Sequence, residues 1–237
     1  YLNPIIEKFQ LGYSPAKWDA FTTFAKQNGY SEELLEQIGL SLKGNKGLYD
    51  RYHGRVMFPI HNLTGRVIGF GGRILVNDPE KKSPKYQNSP ESEIYDKKQT
   101  LYGIYFAKNA IARQDECILV EGYFDVLRMH QIGIENVVAS SGTSLTMEQI
   151  RLVKRYTKNI TMLYDGDAAG QHAALRGTDM ILSEGMNVRV VLLPPEHDPD
   201  TFGKEYSVEY VSNYLKENAK DFVRFKTELL LKDAEND

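Results

Sequence analysis

Three pairs of acidic residues in the second half of the chain have the composition and spacing of a metal-dependent active site. They are Glu121 with Asp125, Asp165 with Asp167, and Asp198 with Asp200. Carboxylates gathered in one place repel each other and raise one another's pKa unless a cation lies among them. Mg²⁺ prefers oxygen ligands and commonly bridges one or two carboxylates to substrate phosphates. The pairs therefore indicate phosphoryl transfer, in which two ions about 4 Å apart can stabilise the attacking and leaving oxygens.

A purely structural role for these acids is the alternative. Asp and Gly after a strand are ordinary turn residues, and Asp also caps helices. Three acidic ends on neighbouring strands favour the metal site over this alternative. An EF-hand is excluded, because the DGDAAG segment that begins at Asp165 has no third acid at the required step and no Glu at the twelfth position.

Four apolar runs between Cys117 and Pro194 must position the acids. Their sequences are CILVE, NVVAS, ITMLYD and VRVVLLP, and their starts lie 19, 24 and 28 residues apart. Each gap has room for the dozen or more residues of a crossover helix, which predicts a parallel sheet. Ligands of such sheets bind at the carboxyl edge of the strands. We therefore predict a doubly wound α/β domain with the acidic pairs at one edge.

The rest of the chain predicts smaller elements. The first fifty residues indicate short helices, one of them starting at a Ser31 cap, and the runs VMFPI and RVIGFGGRILV after Arg55 indicate strands that fold back on one another. Trp18 is expected in the core. Residues 207–232 have the apolar stripes of C-terminal helices.

Local signals mark several helix ends in the second half. Thr146 to Gln149 has the form of a capping box, and Gly133 and Gly185 lie where helices should end.

Composition limits the class of protein. The chain has 237 residues, 41% of them apolar, which is enough for a core in one large domain or two small ones. No apolar run approaches the roughly 20 residues that cross a bilayer, and no secretory signal pattern is present, so we expect a soluble, cytoplasmic protein with no membrane partner. The single cysteine, Cys117, excludes an internal disulfide and a multi-cysteine zinc site within these residues.

The net charge of −3 conceals an uneven distribution. Residues 50–113 carry 11 Lys or Arg against 6 Asp or Glu, whereas residues 115–204 carry 8 against 13. The basic segment interleaves cations and aromatic rings: Arg55, Arg66, Arg73, Lys85, Lys97 and Lys98 with Tyr86, Tyr95 and Tyr102. Cations neutralise phosphates and rings stack on unpaired bases, which predicts a single-stranded nucleic acid as ligand. The alternative is that the cations solvate loops and the tyrosines fill the core.

Glycines in the same segment, Gly69, Gly71 and Gly72, would allow close approach of a ligand to the backbone. Their GFGG spacing is that of neither a P-loop nor a dinucleotide fingerprint.

The motifs EGYFDV, YDGDAAG and DPD, in that order on a doubly wound sheet, resemble the Toprim domain shared by primases, topoisomerases and some nucleases. The stretches RVMFPI, GFGGR, PKYQNSPE, YDKKQTLYG and SSGTSLT are similar to the catalytic core of bacterial DnaG-type DNA primases. The resemblance covers nearly the whole chain. It implies a Toprim-like doubly wound parallel sheet, preceded by a smaller α+β basic subdomain and followed by C-terminal helices.

The resemblance also implies roles for individual residues. Glu121, Asp165 and Asp167 would bind two or more Mg²⁺ or Mn²⁺ ions, and Asp125, Asp198 and Asp200 would complete the acidic site. A basic ridge for the template and the incoming nucleotide would consist of Arg55, Arg73, Lys85, Asn88 and Lys97. The expected domains are residues 1–114 with the basic ridge, 115–204 with the metal site, and 205–237 as the start of a C-terminal helical subdomain.

The function implied is a DNA-dependent RNA polymerase that makes short RNA primers for replication. Its partners would be a single-stranded DNA template, ribonucleoside triphosphates and the RNA primer product. The replicative helicase would bind a C-terminal domain, and zinc an N-terminal domain, both outside these residues; the core itself is expected to be monomeric. Two alternatives are a Toprim nuclease or topoisomerase acting on phosphodiesters, and a non-catalytic nucleic-acid-binding module.

Overall fold

A computed structural model describes residues 1–45, 47–75, 83–142 and 144–235 of the chain. The chain divides into two compact units. One consists of Leu2–Lys97, and the other of Tyr1 together with the residues from Lys98 onward. Each unit has its own sheet.

The Leu2–Lys97 unit is built around an antiparallel sheet. Its elements are α1 (Asn3–Lys8), β1 (Gly12–Ser14), α2 (Ala20–Gln27), α3 (Glu32–Gln37), β2 (Ser41–Gly44), β3 (Gly47–Asp50), β4 (Arg55–His61), β5 (Val67–Ile74) and β6 (Tyr86–Asn88), before a 3₁₀ helix at Lys97–Gln99. Strands β1, β4, β5 and β6 are neighbours in that order, and β2 pairs with β3 in a separate hairpin. The β4 and β5 strands predicted after Arg55 are thus present and antiparallel.

The turn between β4 and β5 is specified by its own residues. The Asn62 side chain accepts hydrogen bonds from the backbone N–H groups of Thr64 and Arg66, both at 3.0 Å. Gly65 has a φ of +85°, which a residue without a Cβ adopts without strain. Local chemistry therefore fixes where the two strands reverse.

The unit that begins at Lys98 contains the predicted parallel sheet. Its elements are α4 (Ile104–Gln114), β7 (Cys117–Val120), α5 (Tyr123–Gln131), β8 (Val137–Ala139), α6 (Met147–Lys154), β9 (Asn159–Tyr164), α7 (Ala168–Ser183), β10 (Asn187–Leu192), α8 (Pro199–Glu205), α9 (Val208–Glu217), β11 (Lys220–Asp221) and α10 (Phe222–Glu235). The strand order is β11-β10-β9-β7-β8, with β11 antiparallel at the edge and the other four parallel. The predicted α/β fold class is confirmed.

Strands β7 and β8 are apolar because the protein covers them on both faces. Every residue of β7 and β8 is at most 4% exposed. Strands buried on both faces have continuous rather than alternating apolar sequences. Cys117 is among these buried residues, and burial raises the pKa of its thiol, so it packs as a small apolar side chain.

The predicted helix ends are also present. Thr146 Oγ1 accepts a hydrogen bond from Gln149 N at 3.2 Å, and Gln149 Oε1 accepts one from Thr146 N at 3.2 Å. Ser31 Oγ accepts from Leu34 N at the start of α3. Gly133 and Gly185 follow α5 and α7 with φ angles of +94° and +69°.

The compact units divide at a different place from the predicted domains. The predicted first boundary lies between residues 114 and 115, whereas the units divide after Lys97. The segment after Lys97 joins the second unit because Tyr102 and Ala139 exchange two backbone hydrogen bonds, of 2.8 and 3.0 Å. Residues beyond 204 belong to the same unit, since β11 pairs with β10.

Two expectations for the first fifty residues are wrong. Trp18 is 60% exposed, not in the core, and its ring stacks on His53 with centroids 4.1 Å apart. Residues 41–50 form the β2–β3 hairpin instead of a helix.

Within the described part of the chain, no helix combines the length and the apolar character needed to span a bilayer.

Candidate active site

The first acidic pair lies where β7 runs into α5. Glu121 directly follows the strand, and Gly122 is the N-cap of the helix. Asp125, in the first turn, binds back to the N-cap: its Oδ2 accepts a hydrogen bond from Gly122 N at 2.8 Å. On the other side, the Glu121 carbonyl accepts one from Ser141 N at 3.1 Å. The backbone that carries the pair is therefore fixed.

The second pair lies between β9 and α7. Asp165 directly follows β9, and Asp167 is the N-cap of α7, where its Oδ1 accepts a hydrogen bond from Gly170 N at 2.7 Å. The turn tolerates no side chain at its glycines. A Cβ on Gly166 would lie 2.1 Å from the Leu193 carbonyl oxygen, and one on Gly170 would lie 2.3 Å from that of Asp165. The glycines of YDGDAAG are thus needed for close backbone packing.

The third pair lies at the start of α8, after β10. Asp198 is the N-cap, and its Oδ1 accepts hydrogen bonds from the backbone N and the Oγ1 of Thr201, both at 2.7 Å. Asp200 lies in the first helical turn and forms an ion pair with Arg128, whose Nε donates to Asp200 Oδ1 at 2.9 Å. The Tyr1 hydroxyl donates to the same oxygen at 2.5 Å.

Acids of all three pairs lie near enough to shift one another's pKa. Burial raises the pKa of Asp165 to about 6, with further contributions from the charges of Glu121, Asp198 and Asp167. Burial also raises the pKa of Asp125 to about 7, against the Gly122 hydrogen bond, and the charges of Asp198, Asp165 and Asp200 add to it. Loss of hydration and then the charge of Asp167 raise the pKa of Glu121.

The sheet explains why these acids converge. Strands β10, β9 and β7 are consecutive and parallel, so their carboxyl ends lie at one edge. All six predicted acids follow these strands. The structural alternative also holds in part, because Asp125, Asp167 and Asp198 accept hydrogen bonds at helix starts.

In the Leu2–Lys97 unit, strand pairing assembles part of the predicted basic ridge. Arg73 pairs with Tyr86, and Gly71 pairs with Asn88. Side chains alternate along strands, so Arg73, Tyr86 and Asn88 lie on one face of the sheet. The Arg73 guanidinium is 5.5 Å from the centre of the Tyr86 ring. Lys85, directly before β6, is exposed.

Comparison with known proteins identifies the family. Residues 2–108 match the family described as DNA primase catalytic core, N-terminal domain, and residues 118–203 match the family described as Toprim-like. The DNA primase of Clostridium acetobutylicum is 45% identical over 213 residues, which are 88% of this chain and 35% of that protein. A solved DNA primase domain from Pseudomonas aeruginosa is 34% identical with a TM-score of 0.88, covering 98% of this chain and 72% of that one. A solved DnaG primase catalytic domain bound to single-stranded DNA is 38% identical with a TM-score of 0.86, covering 98% and 74%.

The chain belongs to the DnaG-type DNA primase family. It spans only part of the whole primases, namely 35% of the Clostridium acetobutylicum protein and 43% of the one from Aquifex aeolicus.

Family membership implies that a divalent metal ion is used, and the acidic edge of this primase core fits such an ion. The acids at this edge, which lie on three strand ends, are all hard oxygen donors, and their mutual repulsion would be relieved by a cation. Among the described residues, no group of three or more His, Cys, Asp or Glu side chains is arranged to hold an ion.

One predicted ridge residue of the primase core has a different position. Arg55 pairs with Ile74, the neighbour of Arg73, so it points to the opposite face of the sheet. It is 2% exposed, and its guanidinium donates to Ser83 Oγ at 2.8 Å and to the Pro84 carbonyl at 3.0 Å. Arg55 therefore holds the segment before β6 and does not line a surface.

The predicted aromatic and glycine contacts of the ridge are corrected in the same way. Tyr95 and Tyr102 are 4% and 2% exposed and cannot stack on a base, whereas Tyr86 is 39% exposed. A Cβ on Gly72 would lie 2.7 Å from the Tyr52 ring, and one on Gly69 would lie 3.1 Å from the Tyr95 ring. These glycines make room for side chains of the protein itself.

Lys97, the last predicted ridge residue, is half-buried in the 3₁₀ helix, where its backbone N–H donates to Glu91 Oε2 at 3.2 Å. No sequence pattern pointed to two residues that contact the acidic edge of the primase core, Tyr1 and Arg128. Both reach Asp200 across more than seventy residues of chain.

Proposed function

We propose that this chain is the polymerase core that synthesises short RNA primers on single-stranded DNA. The observation that carries the proposal is the electrostatically coupled set of acids at the ends of β7, β9 and β10 in a chain of the primase family. Carboxylates that raise one another's pKa are positioned to hold divalent cations.

Glu121, Asp165 and Asp167 are the proposed ligands of two or more Mg²⁺ or Mn²⁺ ions. When bound, such ions neutralise the triphosphate of the incoming nucleotide and acidify the primer 3′-hydroxyl. The hydroxyl attacks the α-phosphate and pyrophosphate leaves, so the reaction needs no side-chain nucleophile. Asp125, Asp198 and Asp200 complete the negative edge that holds the ligands in place.

The basic face of the other unit is the proposed binding surface for the template and the nucleotide. Arg73 and Lys85 would contact phosphates, Asn88 would supply hydrogen bonds, and the exposed Tyr86 ring would stack on a base. Lys97 stays in the proposal as a further cation, whereas Arg55 acts through the backbone that it holds. The similar primase domain solved with single-stranded DNA supports a DNA strand as the ligand.

The remaining partners follow from the family. Ribonucleoside triphosphates would be the substrates and an RNA primer the product. The zinc-binding and helicase-binding functions belong to parts of the longer primases that this chain does not span. A replication enzyme of this kind would work in the cytoplasm.

A product assay tests the proposed function. The protein is mixed with labelled ribonucleotides, single-stranded DNA and either Mn²⁺ or Mg²⁺. The expected products are short labelled RNAs that are lost when EDTA is added. Cleaved DNA without RNA would support a nuclease instead, and DNA binding without either product would support a non-catalytic module.

A further inference from the structure

Two strand ends of the acidic edge have no direct link through the sheet. Strand β9 lies between β7 and β10, so no ladder hydrogen bonds join the segment with Glu121 and Asp125 to the segment with Asp198 and Asp200. The spacing between these two pairs must be set by other contacts. Helices α5 and α8, which follow the two strands, provide them.

Arg128 on α5 forms the first of these contacts. Its Nε donates to Asp200 Oδ1 at 2.9 Å, and only 12% of the Arg128 side chain is exposed. Gly203 on α8 leaves room for the Arg128 side chain, because a Cβ there would lie 2.7 Å from Arg128 Cγ. The ion pair is thus a close-packed bridge between the helices, in a partly dehydrated setting where such pairs hold geometry.

Tyr1 forms the second contact. Its ring stacks on Phe124 of α5 with centroids 5.6 Å apart, and the Arg128 guanidinium lies 4.6 Å from the ring centre. Its hydroxyl is 2.5 Å from Asp200 Oδ1 and 3.1 Å from the Phe124 carbonyl oxygen. A hydroxyl has one hydrogen, and the nearer, charged oxygen takes it.

The three side chains therefore form a latch, defined by Tyr1, Arg128 and Asp200. Both hydrogen bonds described for the Asp200 carboxylate fall on Oδ1. Arg128 also supplies a positive charge beside an edge whose carboxylates otherwise repel each other. The latch holds the first turn of α8, and with it the N-cap residue Asp198, whose charge acts on Asp125.

We propose that Tyr1 and Arg128 are positioning residues for the acidic edge, and that the latch sets its affinity for the divalent ion. This inference rests on the proposed function only in assuming that the ion binds at this edge. Neither residue needs to touch the ion. They act through Asp200 and the helix that carries it. Residues that hydrogen-bond to metal ligands influence metal affinity in the same indirect way.

Tyr1→Phe is the decisive variant, because it removes the hydroxyl without changing charge or the ring stack. The dissociation constant for Mn²⁺, measured on the free protein by electron paramagnetic resonance, should rise about 10-fold. The Mn²⁺ concentration for half-maximal synthesis should rise in parallel, with kcat at saturating Mn²⁺ nearly unchanged. Tyr1→Leu, which also removes the stack, should have at least as large an effect.

The matched control is Tyr156→Phe, since Tyr156 is in the same unit, just after α6, and remote in sequence from all three latch residues. It should leave Mn²⁺ affinity unchanged. The inference is overturned if Tyr1→Phe binds Mn²⁺ as tightly as the control. It is also overturned if weaker binding comes with a clearly lower melting temperature in EDTA, which would show a general loss of folding.

The two proposals can fail separately. A protein that makes no primers but binds Mn²⁺ with Tyr1-dependent affinity would refute the proposed function and leave the latch standing. A protein that makes primers with the same Mn²⁺ dependence before and after Tyr1→Phe would refute the latch alone.

Discussion

At the residue scale, the carboxylates of the acidic edge differ in what else they do. Asp125, Asp167 and Asp198 each accept a hydrogen bond at the start of a helix, where the helix dipole favours negative charge. Asp165 has no such role among the described hydrogen bonds, yet its pKa is raised to about 6. Replacing Asp165 should therefore affect metal binding and catalysis without removing a hydrogen bond that stabilises a helix start.

Asp165→Asn should lower primer synthesis at least about 100-fold, because the variant loses a proposed metal ligand. Affinity for single-stranded DNA, measured by fluorescence anisotropy, should stay within about twofold, since phosphate contacts dominate that affinity. Asp179→Asn is the control, because Asp179 is an exposed aspartate on α7. Normal synthesis by Asp165→Asn would contradict the proposed metal site.

The pH dependence of stability should report the raised pKa of Asp125, about 7 in the folded protein against 3.8 as its ordinary value. The folded state holds this proton more tightly, so the stability contributed by the protonated form is lost as pH rises through 7. In EDTA, the free energy of unfolding of Asp125→Asn, taken relative to wild type, should therefore increase by about 1–2 kcal/mol from pH 5.5 to pH 8.5. Urea unfolding at both values measures this difference, and an equal difference at the two pH values would contradict it.

At the element scale, helix starts are fixed in two ways. Helix α6 is capped by its own Thr146, three residues from its partner Gln149. Helix α2 is capped from a distance: the N-cap residue Asp19 makes no cap hydrogen bond, and Asp50 on β3 accepts from the backbone N–H groups of Phe21 and Thr22 at 2.7 and 2.8 Å. A local pattern reveals only the first kind.

Asp50→Ala should cost about 3 kcal/mol of stability, because Asp50 is 1% exposed and its loss leaves buried donors without an acceptor. The hydroxyl of Thr22, which donates to Asp50 Oδ1 at 2.7 Å, would keep only its contact with Ser41 Oγ, also at 2.7 Å. Asp19→Ala, at the nominal cap position, should change stability by less than about 0.5 kcal/mol. Chemical denaturation of both variants measures the contrast, and equal costs would refute the distant cap.

At the scale of the whole molecule, charge is divided along the chain. The acidic excess of residues 115–204 accompanies the proposed metal site, and the basic excess of residues 50–113 accompanies the face with Arg73 and Lys85. Cations that neutralise phosphates release bound counterions, so binding through them weakens as salt rises. The net charge of −3 hides this division.

Lys85→Ala should weaken binding of single-stranded DNA and reduce the slope of log affinity against log salt by about 1. The comparison is made between about 50 and 200 mM salt. Lys216→Ala, an exposed lysine on α9, is the matched control and should leave the slope unchanged. A wild-type slope for Lys85→Ala would remove that lysine from the binding surface.

The sequence by itself determined the parallel sheet and the presence of acids at its carboxyl edge. Local patterns carry this information: apolar runs such as CILVE, the crossover lengths between them and the Thr146 capping box. They depend on contacts and hydrogen bonds between residues close in the chain, so a short stretch of sequence is enough to predict them. Gly170 belongs to the same class, because a Cβ there would meet the carbonyl of the nearby Asp165, whereas Gly166 packs against the distant Leu193.

Only the tertiary structure decided which face Arg55 occupies, that Trp18 is exposed, and that Asp50 caps α2. It also decided that Tyr1 and Arg128 meet at Asp200, a contact that joins residues 199 positions apart. Such pairings arise when packed elements bring distant side chains together, and their free energy depends on burial and geometry that no local pattern contains.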